Sequence, residues 1–138
     1  MKQFIITGIL IALLALTGCF STPPVPTKNT CESFSYLIPV VSHRVEDSTM
    51  KLKINNGTRG KMDDIGFTVN GTIGDLEVED SGTNKNKGSL EAGDSVSYEL
   101  DLGKNVQPGQ SYYLKITMTY NDGDGYPRTN YSTCRGTA

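Results

Sequence analysis

The chain has 138 residues, with 15 acidic side chains against 13 basic ones and a net charge of −2. This length suits one domain of ordinary size and is too short for two. We expect no nucleic-acid partner, because phosphate binding requires clustered positive charge.

Residues 1–18 have the composition of an export signal. Lys2 precedes an apolar segment at residues 4–16, which is shorter than the ~20 residues that a membrane-spanning helix needs. The following Leu-Thr-Gly-Cys at residues 16–19 resembles the lipobox of prokaryotic lipoproteins. The resemblance implies that residues 1–18 are cleaved and that Cys19 carries lipid, which anchors the mature chain to the cell membrane outside the cytoplasm. A plain cleaved signal and an uncleaved anchor are the alternatives.

Residues 19–30 form a tether between the lipidated cysteine and the domain. The sequence STPPVPTKNT at residues 21–30 contains three prolines, which lack a backbone N–H and favour a stiff polyproline-like conformation. At ~3.1 Å per residue the spacer would hold the domain roughly 30 Å from the lipid surface.

The remaining domain, residues 31–138, is typical of β structure throughout. Apolar and polar residues alternate in short segments bounded by Gly, Asn and Asp, the pattern of strands with one buried face. We predict an all-β, Ig-like two-sheet β-sandwich of about seven antiparallel strands with Greek-key connections. The predicted strands are 34–41, 50–54, 65–69, 76–78, 96–100, 111–120 and 126–135. The polar loop at residues 80–88 is expected to be the most mobile and to connect the two sheets.

Three local motifs carry a resemblance to known Ig-like families. Residues 106–112, VQPGQSY, resemble the apolar-x-Pro-Gly-x-x-Tyr pattern that opens the sixth strand of fibronectin type III domains. This implies that Tyr112 is a structural tyrosine corner, with a buried ring and a hydroxyl turned back onto the preceding loop. Residues 90–100 and 54–71 are similar to small Ig-like modules of prokaryotic surface lipoproteins, the cell-adhesion-related and FxLYD-type domains.

Two cysteines remain once Cys19 is assigned to lipid. Cys31 and Cys134 are an even pair in an exported chain and predict a disulfide across about 100 residues. In the common Ig-like topology the first and last strands run parallel, which would separate the two thiols. The bridge therefore requires residues 31–39 to run back along the sheet, or the first strand to begin later, near residues 36–45. Otherwise the thiols are free or pair between molecules.

No residue pattern indicates catalysis. His43 is the single histidine, so neither a nucleophile–histidine pair nor a zinc ligand set is supported, and we expect a solvated histidine at a strand end. Asp75, Glu77 and Glu79 share one strand face, which predicts an exposed solubilising stripe, with carboxylate catalysis as the alternative. We predict a protein that is not an enzyme and has no cofactor or metal centre.

One turn is a candidate ion site. Asn121, Asp122 and Asp124 in the sequence NDGDG could gather calcium through their oxygen atoms, although a plain hairpin turn also fits. Asn56, Asn70 and Asn130 begin N-glycosylation sequons, in about the number that chance gives.

The predicted function is a non-catalytic cell-envelope interaction or structural module, anchored outside the cytoplasm through lipid on Cys19. Its partner would be an envelope protein or glycan. The loops at the end with residues 80–88 and 121–125, or an exposed sheet edge, would form the recognition surface. Outward-facing Tyr113, Tyr126 and Tyr131 would add amphipathic surface. The alternative function is a small ligand- or calcium-binding surface lipoprotein.

Overall fold

The structure is a computed structural model that describes residues 28–80 and 82–138. The predicted signal, Cys19 and the tether up to residue 27 lie outside the described residues. No helix in this part of the chain is long and apolar enough to cross a membrane. The seven strands are β1 (Thr30–Cys31), β2 (Val40–Asn55), β3 (Asp63–Ile73), β4 (Leu76–Val78), β5 (Ser95–Val106), β6 (Ser111–Asn121) and β7 (Pro127–Thr137).

The strands form two antiparallel sheets, which confirms the predicted all-β, two-sheet sandwich. The larger sheet has the order β1-β7-β6-β3-β4, and the smaller sheet pairs β2 with β5. The chain changes sheets between β1 and β2, β2 and β3, β4 and β5, and β5 and β6. These crossings place consecutive strands on opposite layers of one core.

Strand β2 reverses its own direction. Asn55 N donates a 3.2 Å hydrogen bond to Pro39 O, whereas 16 straight residues would span roughly 53 Å. The reversal lies at Asp47, which has a φ of 53° and where the register with β5 shifts. The smaller sheet therefore contains three extended runs, two from β2 and one from β5.

The first strand predicted from the sequence, residues 34–41, is wrong in position. Phe34 N donates to Ile38 O at 3.1 Å and Ile38 N to Ser35 O at 3.0 Å, which makes this segment a tight turn. Pro39 cannot donate a ladder hydrogen bond, so regular extended structure starts only at Val40.

The core lies between the inner faces of the two sheets. On β6 every second residue is buried, as the alternation predicts. Phe67 of β3 packs against Phe34 at 6.2 Å and Tyr98 at 5.0 Å between ring centroids. Burial of each such side chain stabilises the fold by ~1.5–3 kcal/mol. The β6 residues of this face are Tyr112, Leu114, Ile116, Met118 and Tyr120.

The predicted disulfide between Cys31 and Cys134 is confirmed. Strand β1 runs antiparallel to β7 with the two cysteines directly opposite, while the first long strand begins later, at Val40. Asn29 exchanges two hydrogen bonds with the Thr137 backbone, at 2.8 and 3.2 Å. The chain therefore enters and ends at one end of the sandwich, which we call the tether end.

Residues 79–94 connect the two sheets, as predicted, and run along the side of the sandwich. Ile65 and Phe67 of β3 hydrogen-bond to Lys87, Gly88 and Asn84 through their backbones, at 2.7–3.1 Å. The Asn84 side chain is buried and exchanges bonds of 2.8 and 2.9 Å with the Asp101 backbone on β5. The loop thus seals an edge of β3 that would otherwise lack partners.

Candidate functional site

Three connections meet at the end of the sandwich opposite the tether end, which we call the loop end. They are residues 32–39, 56–62 and 122–126, and between them lies an open groove of about 690 Å³. The side chains that dominate its lining are Tyr36, Leu37, Arg59, Asp124, Arg128 and Asn130.

Asn56 organises the first wall of this groove. Its side chain is fully buried, and Nδ2 donates to Gly60 O and Leu90 O, both at 3.0 Å. Its Oδ1 accepts from Thr58 N at 3.0 Å and Thr58 Oγ1 at 2.6 Å. Both amide N–H groups are therefore engaged, and this sequon asparagine is inaccessible in the folded chain.

The three connections touch through their backbones. Gly57 N donates to Leu37 O at 2.7 Å. A Cβ added to Gly60 would lie 3.2 Å from the Cα of Gly123, so these two loops approach closely only because neither residue has a side chain. The groove walls are consequently set by backbone contacts, and the side chains above them are left to face solvent.

Asp122 organises the opposite wall. Its Oδ1 accepts from Asp124 N and Tyr126 N, both at 3.0 Å, and its Oδ2 accepts from Arg128 Nε at 2.8 Å. The hydrogen bond from Arg128, followed by that from the Tyr126 backbone, lowers the pKa of Asp122. Both carboxylate oxygens thus serve to close the hairpin.

Asn121 and Asp122 of the candidate ion site have different hydrogen-bond partners. Asn121 Nδ2 donates to Asp64 Oδ2 at 3.0 Å, away from the turn that Asp122 closes. Across residues 28–80 and 82–138 there is no group of three or more His, Cys, Asp or Glu side chains that could hold a metal ion. Calcium binding here stays a prediction without structural support.

The groove exposes residue types that are frequent in binding surfaces. Tyr36 is 90% exposed at the tip of its turn, beside the partly exposed Leu37. Arg59 is also exposed, and it forms no ion pair with another described residue. Tyr and Arg dominate the energetics of many interfaces. Neither residue was predicted from the sequence. The glycines on either side of Arg59 and the proline at position 39, after Tyr36, were the only local signals.

His43 lies near the tether end and pairs with Tyr112. His43 Nε2 is 2.7 Å from Tyr112 Oη, and the two rings meet edge to face at 6.0 Å. The prediction of a solvated histidine is wrong, because the reversal of β2 brings His43 onto β6. Burial lowers the pKa of His43 and raises that of Tyr112 to about 12.

Tyr112 has the buried ring that the fibronectin-like motif implied, with a different hydroxyl partner. The ring is 4% exposed, and the hydroxyl bonds to His43 of β2, not to the loop before it. A Cβ on Gly136 would lie 2.7 Å from this hydroxyl, so glycine on β7 makes room for the pair.

The remaining sequence-predicted surface residues are exposed as expected. Asp75, Glu77 and Glu79 lie on the surface around β4. Tyr113, Tyr126 and Tyr131 are 54%, 64% and 55% exposed. His43, engaged by Tyr112, is at the opposite end from the groove and joins none of these carboxylates.

Compared with protein-family models, with curated proteins and with solved structures, the chain gives no match.

Proposed function

We propose that this protein is a lipid-anchored, extracytoplasmic, non-catalytic interaction module that recognises a cell-envelope component through the loop-end groove. The observation that carries the proposal is the position of the chain entry. Asn29 and Cys31 are fixed to the last residues of β7, and the groove lies at the other end of that strand.

The distances favour a surface held away from the membrane. The 11 residues of β6 separate the two ends by roughly 36 Å. With a lipid on Cys19, the proline-containing tether adds roughly 30 Å at ~3.1 Å per residue. The groove would then stand about 65 Å above the lipid surface, where the tether end cannot obstruct a partner.

The chemistry of the groove is that of binding. Tyr36 offers a rigid ring with a polar tip, Leu37 an apolar contact, and Arg59 an exposed guanidinium. These groups suit an envelope protein or glycan with both apolar and acidic or hydroxyl groups. A nucleophile, a base and an orienting group within hydrogen-bond reach, which catalysis would require, are not assembled by the described residues.

The anchor is tested by growing cells with a radioactive fatty acid. We expect label on the protein and its loss in a Cys19→Ala variant. Equal labelling of the variant would contradict the anchor.

The groove is tested by site-specific photo-crosslinking in intact cells. A benzophenone amino acid at position 36 should give a discrete adduct with one envelope component, and Arg59→Ala should reduce that adduct. The matched control places the same probe at the exposed Leu76 on β4. Identical adducts from both positions, or no effect of Arg59→Ala, would remove the groove as the recognition surface.

A further inference from the structure

The outer face of the larger sheet has an unusual distribution of side chains. Strands β3, β6 and β7 place six threonines outward in adjacent register, together with two exposed tyrosines and two cations. We call this surface the threonine face. Its residues are Thr68, Asn70 and Thr72 of β3, Tyr113, Lys115, Thr117 and Thr119 of β6, and Thr129, Tyr131, Thr133 and Arg135 of β7.

The threonine face is positively charged, whereas the whole chain has a net negative charge. The chain carries 15 acidic residues, yet no carboxylate stands among the residues of the threonine face. Carboxylates stand at its borders: Glu77 lies opposite Thr72, Glu32 shares a surface pocket with Tyr113 and Arg135, and Asp64 binds Asn121 beyond Thr119. Lys115 and Arg135 form no ion pair with any described residue, so both cations are available to an anionic partner.

The smaller sheet provides the contrast. Its outward Lys51 lies opposite Glu99 and 3.6 Å from Glu46, so the charge of this lysine is compensated, while Lys53 lies opposite Ser97. Threonine alone is common in strands because it suits the pleated backbone. The segregation of charge and the exposed rings on the threonine face are not explained by strand propensity.

The two tyrosines are placed for an extended ligand. Tyr113 is opposite Arg135, and Tyr131 lies four residues before Arg135 on β7. The two tyrosines are therefore about 14 Å apart at ordinary strand spacings. Lys115 lies between them, with its Nζ 4.8 Å from the centre of the Tyr131 ring. Flat rings at this spacing, surrounded by hydroxyl groups, suit the apolar faces and hydroxyls of successive sugar units.

We propose that the threonine face binds an anionic polysaccharide. Sugar rings would pack on Tyr113 and Tyr131, and carboxylate or phosphate groups on the polymer would bind Lys115 and Arg135. This site is separate from the loop-end groove and does not depend on the lipid anchor. If the threonine face does not bind such a polymer, the proposed function of the groove is unaffected. If the groove or the anchor fails its test, the proposal for the threonine face is unaffected.

The test measures binding of the full chain, purified in detergent, to three polymers. Polygalacturonate carries carboxylates, poly(glycerol phosphate) carries phosphates, and dextran is neutral. We expect binding to at least one anionic polymer at low salt, weakening as salt is added, and none to dextran. Binding to only one of the two identifies the recognised anion.

Matched variants decide whether the face is responsible. Lys115→Gln with Arg135→Gln, and separately Tyr113→Ala with Tyr131→Ala, should each weaken binding about tenfold or more. Lys51→Gln with Lys53→Gln removes the same charge from the other sheet and should leave binding within about twofold. Melting temperatures verify that every variant is folded.

Three results of the polymer-binding measurements would overturn the proposal. They are an absence of binding to both anionic polymers, equal binding to dextran, and an equal loss in the Lys51 and Lys53 control. Self-association of the chain without polymer binding would assign the face to a second copy of the protein, and would overturn it as well.

Discussion

The two ends of the sandwich are held together by different means. At the tether end the constraints join the chain termini: the disulfide of Cys31 and Cys134, the Asn29 bonds to Thr137, and the backbone bonds of Ala138 to residues 109 and 110. At the loop end two polar side chains, Asn56 and Asp122, each hold their own loop, and backbone contacts of Gly57 with Leu37 and of Gly60 with Gly123 join the loops.

The tether end therefore contributes mainly to stability, and the loop end carries the groove that we propose for recognition. The disulfide and the Asn29 bonds at the tether end span 103 and 108 residues. The bonds of Asn56 and Asp122 at the loop end span at most 34 residues, and they fix the loops while leaving Tyr36, Arg59 and Tyr126 exposed. Under the proposed function, this division would allow residues of the groove to change without altering the attachment.

The largest expected effect is at the tether end. Replacing Cys31 and Cys134 together by Ala should lower the free energy of unfolding by ~4–5 kcal/mol, because a sequence separation of 103 residues is no longer closed in the unfolded chain. Urea denaturation measures this change. Reductant should destabilise the wild type similarly and leave the double variant unaffected. A loss below about 1 kcal/mol would show that the tether end does not depend on the bridge.

The loop end should respond strongly to Asn56→Ala. The change removes one donor from each of the Gly60 and Leu90 carbonyls, which keep Thr58 Oγ1 and Met62 N as partners, and it removes the acceptor of Thr58 N. It should cost ~1–3 kcal/mol of unfolding free energy. The matched control is Asn70→Ala, at an exposed asparagine, which should change stability by less than about 0.5 kcal/mol. Similar effects at both positions would mean that Asn56 does not organise the loop.

A smaller effect on stability is expected when His43, the partner of Tyr112, is protonated at low pH. Burial lowers the folded pKa of His43 below 6.5, so the unfolded chain binds the proton first. Stability should be complete above about pH 6.5 and should fall as the pH drops below it. Melting temperatures at pH 7.5 and 5 measure the fall, and His43→Gln should make it smaller. An undiminished fall in that variant would assign the pH dependence to other groups.

The smallest effect on stability is expected from protonation of the Asp122 carboxylate. Its folded pKa is lowered from 3.8, so its stabilising contribution is present above that pH and is lost as the pH falls through the folded pKa. Between pH 4.5 and 2.5, Asp122→Asn should show a smaller decrease in melting temperature than the wild type. Asp124→Asn, in the same turn, should behave like the wild type. Equal decreases in melting temperature in both variants would show that the Asp122 carboxylate does not stabilise the turn.

Much of the fold was predictable from local patterns. The alternation of β6 and the burial of Met50, Leu52 and Ile54 followed from the two-residue period of a strand. The pairing of Cys31 with Cys134 was predicted by counting cysteines in a chain that we expect to be exported. Of the groove, only the glycine-rich turn at residues 121–125 was indicated, because exposed Tyr36 and Arg59 carry no periodic signal.

The sequence by itself thus determined the fold class and the buried face of most strands, since both depend on the period of residue types along the chain. The number of cysteines predicted a disulfide, and the tertiary structure decided that it forms within one chain. Only the tertiary structure decided the reversal of β2 at Asp47, the pairing of His43 with Tyr112 across 69 residues, and the groove. These features depend on a positive φ at one aspartate and on contacts between distant segments, and the pattern of neighbouring residues specifies neither.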